Sequence, residues 1–136
     1  MPVISIIDDD ESVREGTMDL FESMGFITVG FPCAADFLSS DHVHDTSCLI
    51  ADVQMPGMTG FELYNRLVGS GNIIPTILIT AYPEDGDRAR ALQAGVICYL
   101  VKPFNYSDLL ACIRLALERR EATGQFVGPC ARIVTD

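Results

Sequence analysis

At 136 residues, with 9 Lys and Arg against 19 Asp and Glu, the chain carries a formal charge of 9 − 19 = −10 and is 49% apolar. A single domain of this length buries roughly two-thirds of the surface its unfolded chain exposes, which rules out disorder for most of it. The charge argues against a polyanion partner, because phosphate contacts need Lys or Arg clustered on one face and the nine here are scattered. A protein partner or a metal-bound anion suits an acidic surface better. No apolar run approaches the ~18 residues that span a bilayer. Val3–Ile7 runs directly into Asp8-Asp9-Asp10, which is unlike a signal peptide. Cys33, Cys48, Cys98, Cys112 and Cys130 never form a C-x-x-C pair, so neither a disulfide framework nor a zinc site is indicated. Reduced thiols in a cytosol fit this pattern.

In chain order, Val3–Ile7 predicts a first strand. A helix follows, with Val13, Thr17, Leu20, Phe21 and Met24 at helical spacing, Ser12-x-x-Glu15 as a capping box and Gly25 as its end. Ile27–Phe31 predicts a second strand, Ala34–Ser39 a short helix and Cys48–Asp52 a third strand. Thr59-x-x-Glu62 is a second capping box that opens a third helix. Thr76–Thr80 predicts a fourth strand, and a fourth helix ends at Gly95, its start left open by Pro83. A fifth strand is expected at Ile97–Val101 and a last helix over Tyr106–Arg120, with Leu109, Leu110, Ile113 and Leu117 on one face. The third and fourth strands are nearly continuous in Ile, Leu and Ala, as strands covered on both faces should be, and are expected at the centre. Residues 122–136 hold two Gly, one Pro and no helical period, so the chain divides into a domain over 1–121 and a C-terminal tail or linker remnant. The alternation predicts an α/β fold of the (βα)5 kind: one doubly wound, five-stranded parallel sheet with helices on both faces.

In such sheets ligands bind beyond the carboxyl ends of the strands. Here those ends carry Asp8-Asp9, Asp52, Thr80 and Lys102, bringing three carboxylates, a hydroxyl and an ammonium to one edge. Three packed carboxylates repel one another unless a cation joins them, and Mg2+ prefers carboxylates, waters and phosphate oxygens. With that ion and Lys102 offsetting charge, one aspartate can attack phosphorus and form an aspartyl phosphate. Each residue also has an ordinary reading. Asp10 and Glu11 suit a helix N-terminus, Asp52 a turn, Thr80 strand filler, Lys102 a solvated loop and Tyr99 a half-buried strand aromatic. Their joint placement on one edge is what favours chemistry.

Taken in order, Asp8-Asp9, Asp52-Val-Gln-Met-Pro-Gly-Met-Thr-Gly60, Thr80-Ala81 and Lys102-Pro103-Phe104 resemble the response-regulator receiver domains of two-component signalling, over about Pro2 to Arg120. The resemblance implies a flavodoxin-like receiver fold with strand order 2-1-3-4-5. It further implies Asp52 as phosphoryl acceptor, Asp9 as a direct Mg2+ ligand and Asp8 as a ligand acting through metal-bound water. The backbone carbonyl of Gln54 would be a further ligand, Lys102 would hold the phosphoryl oxygens, and Lys102–Pro103 would be cis. Thr80 and Tyr99 match the family's switch pair. The implied partner is a sensor histidine kinase, with self-assisted phosphorylation and autodephosphorylation rather than turnover of a diffusible substrate. A phosphorylation-dependent homodimer through the fourth and fifth helices is a further expectation.

Ile7-Asp-Asp-Asp-Glu-Ser-Val-Arg14, Ala35-Asp-Phe-Leu38 and Gly60-Phe-Glu-Leu63 are nearest the nitrogen-fixation type, whose members usually carry a helix-turn-helix output domain of the LuxR type. None is present in this sequence, so DNA would be reached only through an output domain outside it. The chain is either a single-domain regulator or the receiver portion of a longer transcription factor. Gln54 and Tyr82 occupy positions that tune hydrolysis in the family, and a bulky Tyr82 that shielded the acyl phosphate would give a long-lived phosphorylated form. Three rivals are weaker. A haloacid-dehalogenase phosphatase would use Asp8-x-Asp10 but needs a further acidic motif after Lys102. A docking module would be expected to lack the acceptor or the lysine, and a flavodoxin needs a Ser/Thr/Gly-rich loop after the first strand.

Overall fold

Five strands form one parallel sheet in the order β2-β1-β3-β4-β5, with all four neighbouring pairs parallel. The computed structural model describes residues 2–125. The strands are β1 (Val3–Ile7), β2 (Ile27–Phe31), β3 (Cys48–Asp52), β4 (Thr76–Thr80) and β5 (Cys98–Val101). They alternate with α1 (Glu11–Ser23), α2 (Ala34–Leu38), a 3-10 turn at Asp41–Val43, α3 (Gly60–Gly69), α4 (Asp87–Ala94) and α5 (Tyr106–Gln125). The expected architecture and strand order are therefore found, and β3 and β4 lie inside the sheet, buried along their whole length.

Side chains alternate across each strand, so the sheet makes two cores. Ile7, Leu49, Ala51 and Leu78 face α2, α3 and α4, meeting Phe37, Leu63, Leu67 and Ala91. Ile4, Ile6, Cys48, Ile50, Ile77 and Ile79 face α1 and α5, meeting Phe21, Leu109, Ile113 and Ala116. At ~25 cal/mol per Å2 of apolar surface removed from water, burial on both faces explains why these strands are mostly apolar.

The ends of α1 and α5 and the orientation of α1 differ from the sequence reading. The cap of α1 is Asp10, whose Oδ1 accepts from the N–H groups of Ser12 and Val13 at 3.0 and 3.2 Å. Ser12 lies within the first turn, because an aspartate just before it already offers the orphan amides an acceptor. The buried face of α1 is centred on Phe21 and Met18, while Val13 and Met24 are over 40% exposed. Gly30 on β2 explains the rotation: a Cβ there would stand 2.5 Å from Met18 Sδ and 3.1 Å from Arg14 Cδ, so its absence admits that face of the helix. At the other end α5 continues to Gln125, four residues into the segment expected to be tail. Once a helix is nucleated, residues such as Glu121, Ala122 and Gln125 extend it without needing an apolar stripe. Residues 126–136, including Cys130, lie outside the described residues.

α3 begins as expected. Thr59 Oγ1 accepts from Glu62 N–H at 3.2 Å and Glu62 Oε1 accepts from Thr59 N–H at 2.9 Å, a complete capping box. α4 starts only at Asp87, after Gly86, and stops at Gly95, whose φ of 113° is a left-handed conformation that glycine adopts at no cost.

Candidate functional site

A parallel sheet brings all its strand C-termini to one edge, and the ladder fixes which residues meet there. Ile7 pairs with Ala51, Asp52 with Ile79, and Thr80 with Val101. The ladder continues one residue further, with Asp8 N–H donating to Phe31 carbonyl at 3.1 Å and Lys102 N–H to Thr80 carbonyl at 2.8 Å. Asp8, Asp52, Thr80 and Lys102 are thereby collected, as expected from their positions at the strand ends.

One oxygen from each of Asp8, Asp9 and Asp52 lies within 4.8 Å of the others. Asp8 and Asp52 are buried and Asp9 is exposed. Lys102 Nζ lies 3.2 Å from Asp52 Oδ2 and 3.8 Å from Asp8 Oδ2. The Lys102–Pro103 peptide is cis. The other Asp52 oxygen accepts from Gln54 N–H at 3.2 Å. Asp8 Oδ1 accepts from Asp10 N–H at 2.9 Å, and Arg14 donates to the Asp8 carbonyl at 2.7 Å.

Burial raises the Asp8 carboxyl above its ordinary value of 3.8, and the charges of Asp52 and Asp9 add to this, against the Asp10 N–H and Lys102. Burial by itself would lower Lys102, yet Asp52 and Asp8 together outweigh it and hold the ammonium above its ordinary 10.5. One ammonium against three carboxylates leaves the edge anionic. All-oxygen donors, two of them buried and fixed by hydrogen bonds, suit a hard divalent cation such as Mg2+.

Thr80 is fully buried, and its hydroxyl donates to Gln54 Oε1 at 2.6 Å while accepting from Tyr82 N–H at 3.0 Å. Gln54 Nε2 donates to the Tyr82 carbonyl at 3.3 Å. The Tyr82 side chain is 74% exposed, so in this conformation it shields little. Tyr99 is 2% exposed, with its ring turned in beside Phe61 and its hydroxyl 3.4 Å from Asp87 Oδ2. Burial, then the charge of Asp87, pushes the Tyr99 hydroxyl above its ordinary value.

Three residues enter the site's surroundings in roles the sequence reading did not assign, although Arg14 and Gly60 stand within the quoted motifs. Asp87 lies where Pro83 left the start of the fourth helix open, and it is buried and accepts from Arg90, Glu84 N–H and Tyr99. Arg14 reads as one of the scattered basic residues, yet holds the acidic loop. Gly60 permits the start of α3 to approach Asp52, as its N–H donates to the Val53 carbonyl at 3.1 Å. Asp10, which a phosphatase reading would need beside Asp8, is instead committed to the α1 cap.

A doubly wound sheet of order 2-1-3-4-5, with its polar residues gathered where the strands end, defines the flavodoxin-like receiver class. The family model "Response regulator receiver domain" matches residues 4–114, and the chain belongs to that family, the receivers of two-component response regulators. It is 34% identical over 117 residues to Nodulation protein W of Bradyrhizobium diazoefficiens, covering 86% of this chain and 52% of that one. It is 38% identical over 116 residues to the response regulator protein TmoT of Ectopseudomonas mendocina, covering 85% and 53%. It is also 33% identical over 122 residues to the transcriptional regulatory protein FixJ of Azorhizobium caulinodans, covering 90% and 58%. The chain thus spans about half the length of these relatives. Among solved structures, the response regulator StyR superposes with a TM-score of 0.85 at 38% identity, covering 99% of this chain and 66% of that one. FixJ-N superposes with a TM-score of 0.77 at 29% identity, covering 87% and 94%. Relatives in the nitrogen-fixation group accord with the subgroup the sequence resembles. Among the described residues no helix is long and apolar enough to cross a membrane.

Proposed function

We propose that this receiver accepts a phosphoryl group on Asp52 from the phosphohistidine of a sensor histidine kinase. The supporting observation is the Asp52 carboxylate held between Lys102 Nζ and Gln54 N–H, with Asp8 and Asp9 oxygens beside it. An Asp52 oxygen attacks phosphorus, the acyl phosphate bond forms, and the P–N bond breaks with its electron pair leaving on the imidazole. Asp8, Asp9, Asp52 and the Gln54 backbone carbonyl would hold Mg2+, which when bound neutralises charge on the carboxylates and the phosphoryl oxygens. Lys102 turns from its carboxylates to the new phosphoryl oxygens, and Thr80 donates its hydroxyl to them. The change at Thr80, beside a Tyr99 ring that is already inward, alters the α4, β5 and α5 surface, which signals to an output domain outside this sequence or to a second copy through α4 and α5. Gln54 and Tyr82 tune hydrolysis of the acyl phosphate by the domain itself. The reading carries with it a cytoplasmic role, a receiver over 1–121 and a following tail or linker, into which α5 runs as far as Gln125.

Intact mass after incubation with acetyl phosphate, with and without Mg2+, tests this. One phosphoryl group is expected on the wild type only with Mg2+, and none on Asp52→Asn. A phosphoryl group that survives in Asp52→Asn but is lost in Asp8→Asn would overturn the assignment.

A further inference from the structure

The Gln54 side chain has no part in the proposed transfer, yet it makes the shortest hydrogen bond to the Thr80 hydroxyl, at 2.6 Å. The partners fix its orientation. The Tyr82 carbonyl can only accept, so it takes the amide nitrogen, at 3.3 Å, and the oxygen is left for Thr80. Thr80 already accepts from Tyr82 N–H at 3.0 Å, so its single proton is committed to Gln54. To donate to a phosphoryl oxygen on Asp52, the hydroxyl must leave that amide. The aromatic half of the switch is already set, because Tyr99 is buried, its hydroxyl lies on Asp87, and Arg88 donates to its carbonyl at 3.1 Å.

We infer that Gln54 is a positioning residue whose side-chain amide latches the Thr80 hydroxyl in the unphosphorylated domain and so sets how readily Thr80 engages a phosphoryl group. The inference rests on Asp52 as the acceptor. The latch and the acceptor-bound form compete for one proton, so removing the amide favours the latter by the factor one net hydrogen bond carries, about fivefold. Because the ring of Tyr99 is inward beforehand, the latch is, beside the Lys102 ion pairs, a contact that phosphorylation has to break.

The test is isothermal titration calorimetry of the whole chain with beryllofluoride, a phosphoryl mimic, in the presence of Mg2+. Gln54→Met keeps the size and the backbone but not the acceptor, and is expected to bind about fivefold more tightly than the wild type. In a Thr80→Val background the same substitution is expected to change nothing, which separates the latch from a general structural effect. Unchanged or weaker binding by Gln54→Met, or an equal gain in the Thr80→Val background, overturns the latch alone. Absence of binding by the wild type, or equal binding by Asp52→Asn, overturns the acceptor reading and the latch with it.

Discussion

Gly60 and Gly16 invite the same substitution and should answer with opposite sign. A Cβ on Gly60 would stand 2.7 Å from the carbonyl oxygen of Asp52, 3.0 Å from Leu78 Cδ2 and 3.2 Å from Val53 Cα. Two of these neighbours are backbone of the loop that carries Asp52, so no side chain can swing aside to make room. Overpacking of this kind costs about 1–3 kcal/mol. Alanine's better helix propensity returns up to about 1 kcal/mol, less at a first helical residue than mid-helix. Gly60→Ala is therefore expected to destabilise by about 1–2 kcal/mol, which lowers Tm by roughly 3–8 °C in a domain of this size. Gly16 lies mid-helix in α1, exposed, with nothing within 4 Å of where a Cβ would stand. Gly16→Ala should stabilise by about 0.5–1 kcal/mol. Urea unfolding followed by far-ultraviolet circular dichroism measures both, and acetyl phosphate labelling should be slowed in Gly60→Ala alone. Equal stability of the two variants would refute the argument that α3 is seated against the Asp52 backbone.

Three further outcomes are expected. The Asp8 carboxyl is raised in the folded form, chiefly by burial, so the folded chain binds a proton that the unfolded chain has lost. That contribution is complete below the ordinary value of 3.8 and is lost as pH rises through the folded value. Urea midpoints between pH 4 and 7 without divalent cation should show it, and Asp8→Asn should remove that part of the slope. Thr59→Ala breaks the capping box and should cost about 1 kcal/mol in the same unfolding assay, with Thr59→Ser restoring most of it. Tyr82→Ala should speed loss of the phosphoryl group from purified phosphorylated protein, followed by intact mass over time. An unchanged rate would remove Tyr82 from the residues that tune hydrolysis, in line with its exposed side chain here.

Much of the fold is written locally. Val3–Ile7, Cys48–Asp52 and Thr76–Thr80 are mostly apolar runs of strand length, as strands packed on both faces are, and their few polar side chains, Ser5, Asp52, Thr76 and Thr80, are buried. Thr59 and Glu62 satisfy one another's backbone within a single turn, so their box is legible without any tertiary context. The site's principal groups are legible for a related reason. A parallel sheet sends every strand end to one edge, so Asp8, Asp52, Thr80 and Lys102 must meet once the strands are recognised.

What only the tertiary structure decided are contacts whose partners are distant in the chain. The face that α1 buries depends on a missing side chain at Gly30, on the neighbouring strand β2, which helical periodicity cannot sense. Asp87 is buried because α4 packs against β5 and the Tyr99 hydroxyl, a partner 12 residues away that no local pattern announces. The hold of Gln54 on Thr80 joins the loop after β3 to the end of β4, 26 residues apart. Sequence patterns of period 2 and 3.6 say which side of an element is apolar and where its backbone is satisfied. They do not encode how a loop and a strand end, brought together by strand order and register, share a single hydroxyl proton. That allocation follows from distances set by the whole sheet.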